Sequence, residues 1–440
     1  MGFGVPAAQV DRGVFDRFRS SIDPKWVLEA LAATGTATLR RRRFPAEQVV
    51  WLVLGMALFR DIAIVDVVKY LALVLPGSGA RAIADSAVAQ ARARLGASPL
   101  RWLFEKCAEV WAKASADRLR WRGLAVYGVD GTTVRVPDSP ENRAEFGGQG
   151  AGGGRGMSGY PLVRVVTLMA LRSHLLLAAR FGPYNVSERR HARGLWPSVP
   201  DDSLVIVDRG FMYARDLVPL QANGRNRHWL TRARKNNKWR VVKRLGPGDA
   251  LAEVLVNRGS RRQDPTLPER WAMRAIRYRR RGFREQTLLT SLIDPTQYPR
   301  DEVIALYHER WELELGYDEV KTEMLEREEA IRSKTPTGVE QELWGVALAY
   351  NLVRLEMERA AEVAEVPPTR MSFVGCLRAI KFQLVLFAAI SPGKMAKVLE
   401  RFHRDLAASC VLPPRRSERL YPRAVKLKMS NYPRKRPGAK

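Results

Sequence analysis

Tyr307-His308-Glu309-Arg310-Trp311-Glu312-Leu313-Glu314-Leu315-Gly316-Tyr317-Asp318-Glu319-Val320-Lys321 holds no proline and a single glycine, and it mixes apolar with charged residues, a pattern that predicts helix. At about 100° per residue, Tyr307, Arg310, Glu314 and Lys321 fall within a sector of roughly 60°. One acid among two cations and a phenol on a helical stripe suits a metal-bound phosphate. The carboxylate holds a cation, Arg and Lys clamp phosphate oxygens, and Tyr donates a further hydrogen bond. On spacing alone, the stripe is equally compatible with a solvated face carrying helix ion pairs. Glu309, Glu312 and Glu319 project away from it, but Asp318 returns to it one turn beyond Glu314, and helix geometry cannot choose between those two acids.

Upstream, the periodicity is that of an α/β unit. Residues 124–130 form a short apolar run ending in Asp130, as a buried strand would. Two more strands are expected over 162–171 and 174–181, then a short helix over 186–195. Residues 203–208 form another apolar run ending in an acid, Asp208, followed by a helix over 214–222 and a strand over 228–233. Three strands, helix, strand, helix, strand and a later long helix is the order of a ribonuclease H-like fold. Both aspartates then fall at C-terminal strand edges, where α/β proteins place their sites.

Displacement at a phosphodiester needs an activated oxygen nucleophile, a stabilised leaving oxygen and neutralised phosphate charge, which two divalent cations supply. Hard cations take oxygen ligands, so carboxylates fit where the scattered His and Cys do not. Singly, each aspartate has a bland reading: Asp130-Gly131 as a turn, Asp208-Arg209 as a strand-end ion pair.

Tyr-x2-Arg-x3-Glu-x6-Lys over 307–321 resembles the signature of bacterial insertion-sequence transposases of the insertion-sequence-four family, which are DDE enzymes. Tyr127-Gly128-Val129-Asp130-Gly131-Thr132-Thr133 and Val207-Asp208-Arg209-Gly210-Phe211 look like the family's two aspartate motifs, and Asn142 and Phe146 also resemble family positions. The resemblance covers about residues 44–373. It implies Asp130, Asp208 and Glu314 as catalytic acids binding two Mg²⁺ or Mn²⁺, and it selects Glu314 over Asp318. Tyr307, Arg310 and Lys321 would then hold DNA phosphates. It further implies cleavage at terminal inverted repeats, strand transfer into target DNA, and a homodimer in a synaptic complex. The alternatives are a ribonuclease H-like nuclease without strand transfer and a catalytically silent DNA-binding protein derived from a transposase. In related transposases a flipped base stacks on a Trp before a Leu-Leu-Thr-Ser strand. Here Leu288-Leu289-Thr290-Ser291 puts Gln286 or a close neighbour at that place, so stacking would fall to Trp271 or Phe283.

Composition agrees with a nucleic-acid partner. The 440 residues carry a formal charge of +28, and a hydrophobic content of 46% argues against disorder. Cys107, Cys376 and Cys410 have no paired spacing, which fits a reducing compartment. The apolar stretch 49–75 contains Arg60, Asp61, Asp66 and Lys69, so it reads as a buried helix pair and not a membrane span. No signal core opens the chain. A cytoplasmic, nucleoid-associated bacterial protein is expected.

The fold class expected is α/β: a ribonuclease H-like catalytic core with a β-rich insertion, plus N- and C-terminal α-helical regions. Residues 1–120 would be a helical DNA-binding domain, and 121–233 the first part of the core. Residues 234–298 would be the insertion, 299–335 the catalytic helix, 336–412 a helical region and 413–440 a basic tail. In the first of these, Arg92 and Arg94 lie on a helix over 86–95 that could enter a DNA groove or merely decorate a packed helix. In the insertion, strands are expected over 238–244, 252–256, 271–279 and 286–292, and Arg279, Arg280 and Arg281 belong to a basic run suited to phosphates. The glycine-rich run 147–156 lacks a Gly-Lys-Ser/Thr ending, so no nucleotide cofactor is expected and the run reads as a mobile loop. From 415 to 440 ten Lys or Arg face one acid, a segment expected to be extended along DNA.

Overall fold

Ala125-Val126-Tyr127-Gly128-Val129 opens β1 (Ala125–Arg135), and all five residues are buried, as in a strand covered on both faces. A computed structural model describes residues 21–37, 44–71, 84–148, 159–280, 283–325, 331–387 and 394–413. Within them β1, β2 (Leu162–Ala170) and β3 (Leu176–Pro183) form an antiparallel meander, and β4 (Ser203–Val207) runs parallel to β1. β5 (Arg227–Arg232) pairs in parallel with β4.

The insertion strands β6 (Arg240–Gly246), β7 (Asp249–Leu255), β8 (Arg270–Tyr278) and β9 (Gln286–Thr290) follow the expected segments closely. They do not form a sheet of their own. β9 pairs antiparallel with β5, giving one nine-stranded sheet of order β3-β2-β1-β4-β5-β9-β8-β7-β6. The expectation that the first strand ends at its acid is corrected: β1 runs on to Arg135, with Asp130 opposite Thr167 of β2. Antiparallel pairing with β2 sustains the strand after its parallel partner has ended.

The helical side is organised around the helix Pro336–Val363, buried nearly all round. The helices Ala46–Leu58, Ser98–Arg118 and Met395–Ser409 pack on it, so segments from both halves of the chain share one core. Gly345 lets the helix come close to Ala46–Leu58, since a Cβ there would stand 2.5 Å from Val53 Cγ1. Burying so long a helix also buries polar side chains, and each finds a partner on another element. Glu342 pairs with Arg60 at 3.1 Å, and Ser115 donates to Glu358 at 2.7 Å. Asn351 both donates to and accepts from the Leu176 backbone at 2.8 Å, extending the ladder of the edge strand β3 by one side chain. No helix among the described residues is long and apolar enough to cross a membrane.

Candidate active site

The last parallel rung between β1 and β4 joins Val129 to Val207. The next residues are Asp130 and Asp208, so the two acids stand one step past the same rung on neighbouring strands, about 4.8 Å apart in backbone spacing. Asp130 Oδ1 accepts the Gly131 N–H at 2.9 Å. Asp208 Oδ1 accepts the Arg209 N–H at 2.6 Å and caps the 3₁₀ turn Arg209–Phe211. Asp130-Gly131 therefore lies within a strand and is not a turn, and Asp208 meets the backbone of Arg209.

The segment from 300 to 324 is not one uniform helix. It is α-helical over Arg300–Tyr307, 3₁₀ over His308–Arg310, α-helical over Trp311–Asp318 and π-helical over Glu319–Met324. The constant step of 100° per residue fails at both changes. Packing still brings Tyr307 near Asp208 and Arg310 near Asp130, while Glu314 is tied to Arg310. Gly128 admits Leu313 against β1, and Tyr317 donates its hydroxyl to the Asp130 carbonyl while bonding Thr167 Oγ1 at 2.8 Å. Arg310 Nη2 lies 2.6 Å from Glu314 Oε1. Burial works against the Arg310 charge, but Glu314, Tyr307 and Asp130 together hold its proton more firmly than usual. The Tyr307 phenol is buried near Arg310, Arg232 and Asp208, and burial raises its pKa. Lys321 is half-buried on the π-helical stretch, where the step per residue differs from that of the α-helix.

The other acids of this segment have different partners. Glu309 forms a fork with Arg172 (2.8 and 3.0 Å), Glu312 meets His174 at 2.9 Å, and Glu319 is clamped by Arg354 and by Tyr350 (2.8 Å). Asp318 is exposed and accepts from the Thr322 hydroxyl at 2.8 Å.

One acid at the site was not anticipated. Glu188 opens the short helix Glu188–Arg193 after β3, and its side chain lies over Gly131, where an added Cβ would stand 2.5 Å from its Cγ. Burial and the neighbouring Asp130 and Asp208 push its pKa up to about 7. Burial likewise raises Asp130, with Asp208 adding to the effect. In sequence, Ser187-Glu188 reads as an ordinary helix start, an acid favoured by the helix dipole, and nothing local sets it apart.

Crowded, partly buried carboxylates with raised proton affinity suit a hard cation, whose charge would relieve their repulsion. Among the described residues no three acids, histidines or cysteines form a finished metal cage. Glu314 in particular gives one oxygen to Arg310, so a cation there would share the carboxylate with that guanidinium.

The proposed DNA-contacting residues divide. Arg92 is turned inward, donating to Gln341 (2.9 Å), Ser333 (2.9 Å) and Glu342 (3.4 Å), so it belongs to a packed helix and presents no free guanidinium to a groove. Arg94, Arg279 and Arg280 are exposed. Arg281, residues 149–156 of the glycine-rich run and residues 414–440 of the basic tail lie outside the described residues. Trp271 is buried against Trp229 (ring centroids 5.1 Å apart), which corrects its assignment as a stacking platform; Phe283 is 39% exposed.

A family profile described as insertion element 4 transposase N-terminal matches residues 12–105, and one described as transposase DDE domain matches residues 100–352. The transposase InsG for insertion sequence element IS4 of Escherichia coli (strain K12) is 38% identical over 94% of this chain and 92% of its own length. A putative transposase, InsZ, of the same organism is 35% identical over 58% of this chain and 78% of its own. A solved piggyBac transposase synaptic complex with hairpin DNA aligns at a TM-score of 0.43 and 10% identity, covering 94% of this chain and 88% of that one, too remote a likeness to carry an argument.

Proposed function

The chain belongs to the insertion-element-4 family of DDE transposases, and on that premise we propose that it cuts DNA at the terminal inverted repeats of its element and joins the freed ends to target DNA. The observation that carries the reading is the β1–β4 register, with Asp130 and Asp208 abreast and Arg310 bridging towards Glu314. The strand order β3-β2-β1-β4-β5, with helices between β3 and β4 and between β4 and β5, supports a ribonuclease H-like core. That core would span 121–233 and be completed by 299–335, with 234–298 inserted, helical regions at 1–120 and 336–412, and a basic tail at 413–440.

DDE transposase domains generally use divalent metal. Asp130, Asp208 and Glu314 would hold it as two Mg²⁺ or Mn²⁺, whose chemistry is to activate the attacking oxygen and stabilise the leaving one. Arg310 and Tyr307, beside the acids, would donate to non-bridging phosphate oxygens, and Lys321 would add charge from the π-helical turn. The excess of 28 positive charges supports DNA as the partner, with Arg94, Arg279 and Arg280 exposed towards it. A homodimer holding two element ends in a synaptic complex completes the reading.

The test is labelled duplex carrying the terminal repeat and its flank, incubated with the protein in Mn²⁺ or in EDTA. Nicking at the repeat boundary in Mn²⁺ alone supports the proposal. A mobility shift without cutting in either condition would instead indicate a silent DNA binder.

A further inference from the structure

Among the described residues the buried acids each meet a basic side chain. Asp216 pairs with Arg189 and Arg193, Asp249 with Arg274, Glu312 with His174, Glu342 with Arg60, Glu356 with Arg359, and Glu358 with Arg118. This is the expected solution when carboxylates leave water in a chain so rich in Lys and Arg. Glu188, Asp130 and Asp208 depart from it. Asp130 and Asp208 stand abreast past the same rung, Glu188 lies over Gly131, and no Lys, Arg or His among the described residues closes an ion pair on any of the three. Arg164, a cation close enough to act on Glu188, instead donates to the Tyr184 carbonyl at 2.9 Å and lies over the Tyr184 ring.

Glu188 is also held in this place by the backbone. Its helix packs on β1, β2 and β3, and its side chain occupies the space above Gly131 that any larger residue would fill. A glycine directly after Asp130 thus makes room for a second carboxylate beside the first.

We propose that Glu188 is a fourth carboxylate of the active site, contributing oxygen to the same divalent cation as Asp130. The inference rests on the metal-dependent reading above and adds a residue to it. Glu314, held by Arg310, is then not the sole acid available to complete the coordination begun by the two aspartates.

The experiment titrates Mn²⁺ into full-length protein bound to terminal-repeat duplex, reading bound metal by electron paramagnetic resonance. Wild type is compared with Glu188→Gln, Glu188→Asp and Asp130→Asn, and Tm and DNA affinity are measured in EDTA. Glu188→Gln should weaken Mn²⁺ binding roughly tenfold or more, with Glu188→Asp intermediate and with DNA affinity and Tm in EDTA not reduced. Unchanged Mn²⁺ affinity in Glu188→Gln, while Asp130→Asn loses it, would overturn the role of Glu188 and leave the proposed function standing. Unchanged affinity in both would overturn the metal site itself. A matching loss of Tm in EDTA for both Glu188 variants would mark a structural role and also overturn the proposal.

Discussion

Arg310 Nη2 lies 2.6 Å from Glu314 Oε1, so the carboxylate that the helix offers to the site is held by the guanidinium one turn earlier. Both side chains are partly exposed, at 22% and 39%. An i,i+4 pair in such a setting contributes only about 0.3–0.5 kcal/mol. That is small beside the interaction of either group with a phosphate or a divalent cation, so the pair serves as a resting arrangement that substrate can open. Arg310→Ala should lower the cleavage rate about 100-fold or more, as loss of a transition-state donor does, without weakening Mn²⁺ affinity. Arg310→Lys should recover part of the rate. Single-turnover kinetics with parallel metal titrations checks both, and an unchanged rate in Arg310→Ala would remove Arg310 from the phosphate clamp.

Gly128 couples packing to the site. A Cβ there would stand 2.7 Å from Leu313 Cδ1 and 2.8 Å from Leu171 Cδ2. Gly128→Ala should therefore cost about 1–3 kcal/mol of stability and push the Trp311–Asp318 helix away from β1, lowering activity more than DNA affinity. Chemical denaturation beside cleavage assays would reveal it; a fully active, fully stable variant would mean that the close approach is unimportant.

Arg92 and Arg94 should separate in experiment. Arg94→Ala should leave Tm unchanged, weaken DNA binding and reduce the salt dependence by about one phosphate contact. Arg92→Ala should cost about 1–3 kcal/mol, less than a fully orphaned buried charge because Glu342 retains Arg60. Salt-titrated binding and thermal melts distinguish the two. Loss of DNA affinity at full Tm in Arg92→Ala would show that its inward contacts are not its main role.

Acid stability should depend on Glu319. Burial alone would raise its pKa, but Arg354, with His174 and Tyr350, brings it down from 4.5 to about 2. A folded-state value below the unfolded one means the stabilisation is fully present above about pH 4.5 and is lost as pH falls from there towards 2. Wild-type stability should thus fall more steeply between pH 5 and pH 3 than that of Glu319→Gln, measured by urea unfolding. Parallel slopes would remove Glu319 from the acid response.

Much of the core was legible because buried strands are short apolar runs and their flanking acids stand out. Residues 203–207 and 214–222 lie in the structure where periodicity sets them. What escaped depends on contacts between distant segments. β1 continues past Asp130 because β2 pairs with Thr132-Thr133-Val134-Arg135, and the insertion joins the main sheet through β5 and β9. The twist changes at 308–310 and 319–324 occur where the helix is tied to other elements, Glu319 to Arg354 among them. Arg92 looked like a surface arginine because its partners Ser333, Gln341 and Glu342 lie some 240 residues away along the chain. Glu188 carried no local mark, and only its position over Gly131 reveals it.

The most direct test of the active-site assignment is Glu314→Ala on the terminal-repeat duplex in Mn²⁺, with binding and nicking read on the same sample. Full binding with no nicking at the repeat boundary is the predicted result. Nicking at the wild-type rate would contradict the assignment of Glu314 and make Asp318 the next acid to substitute.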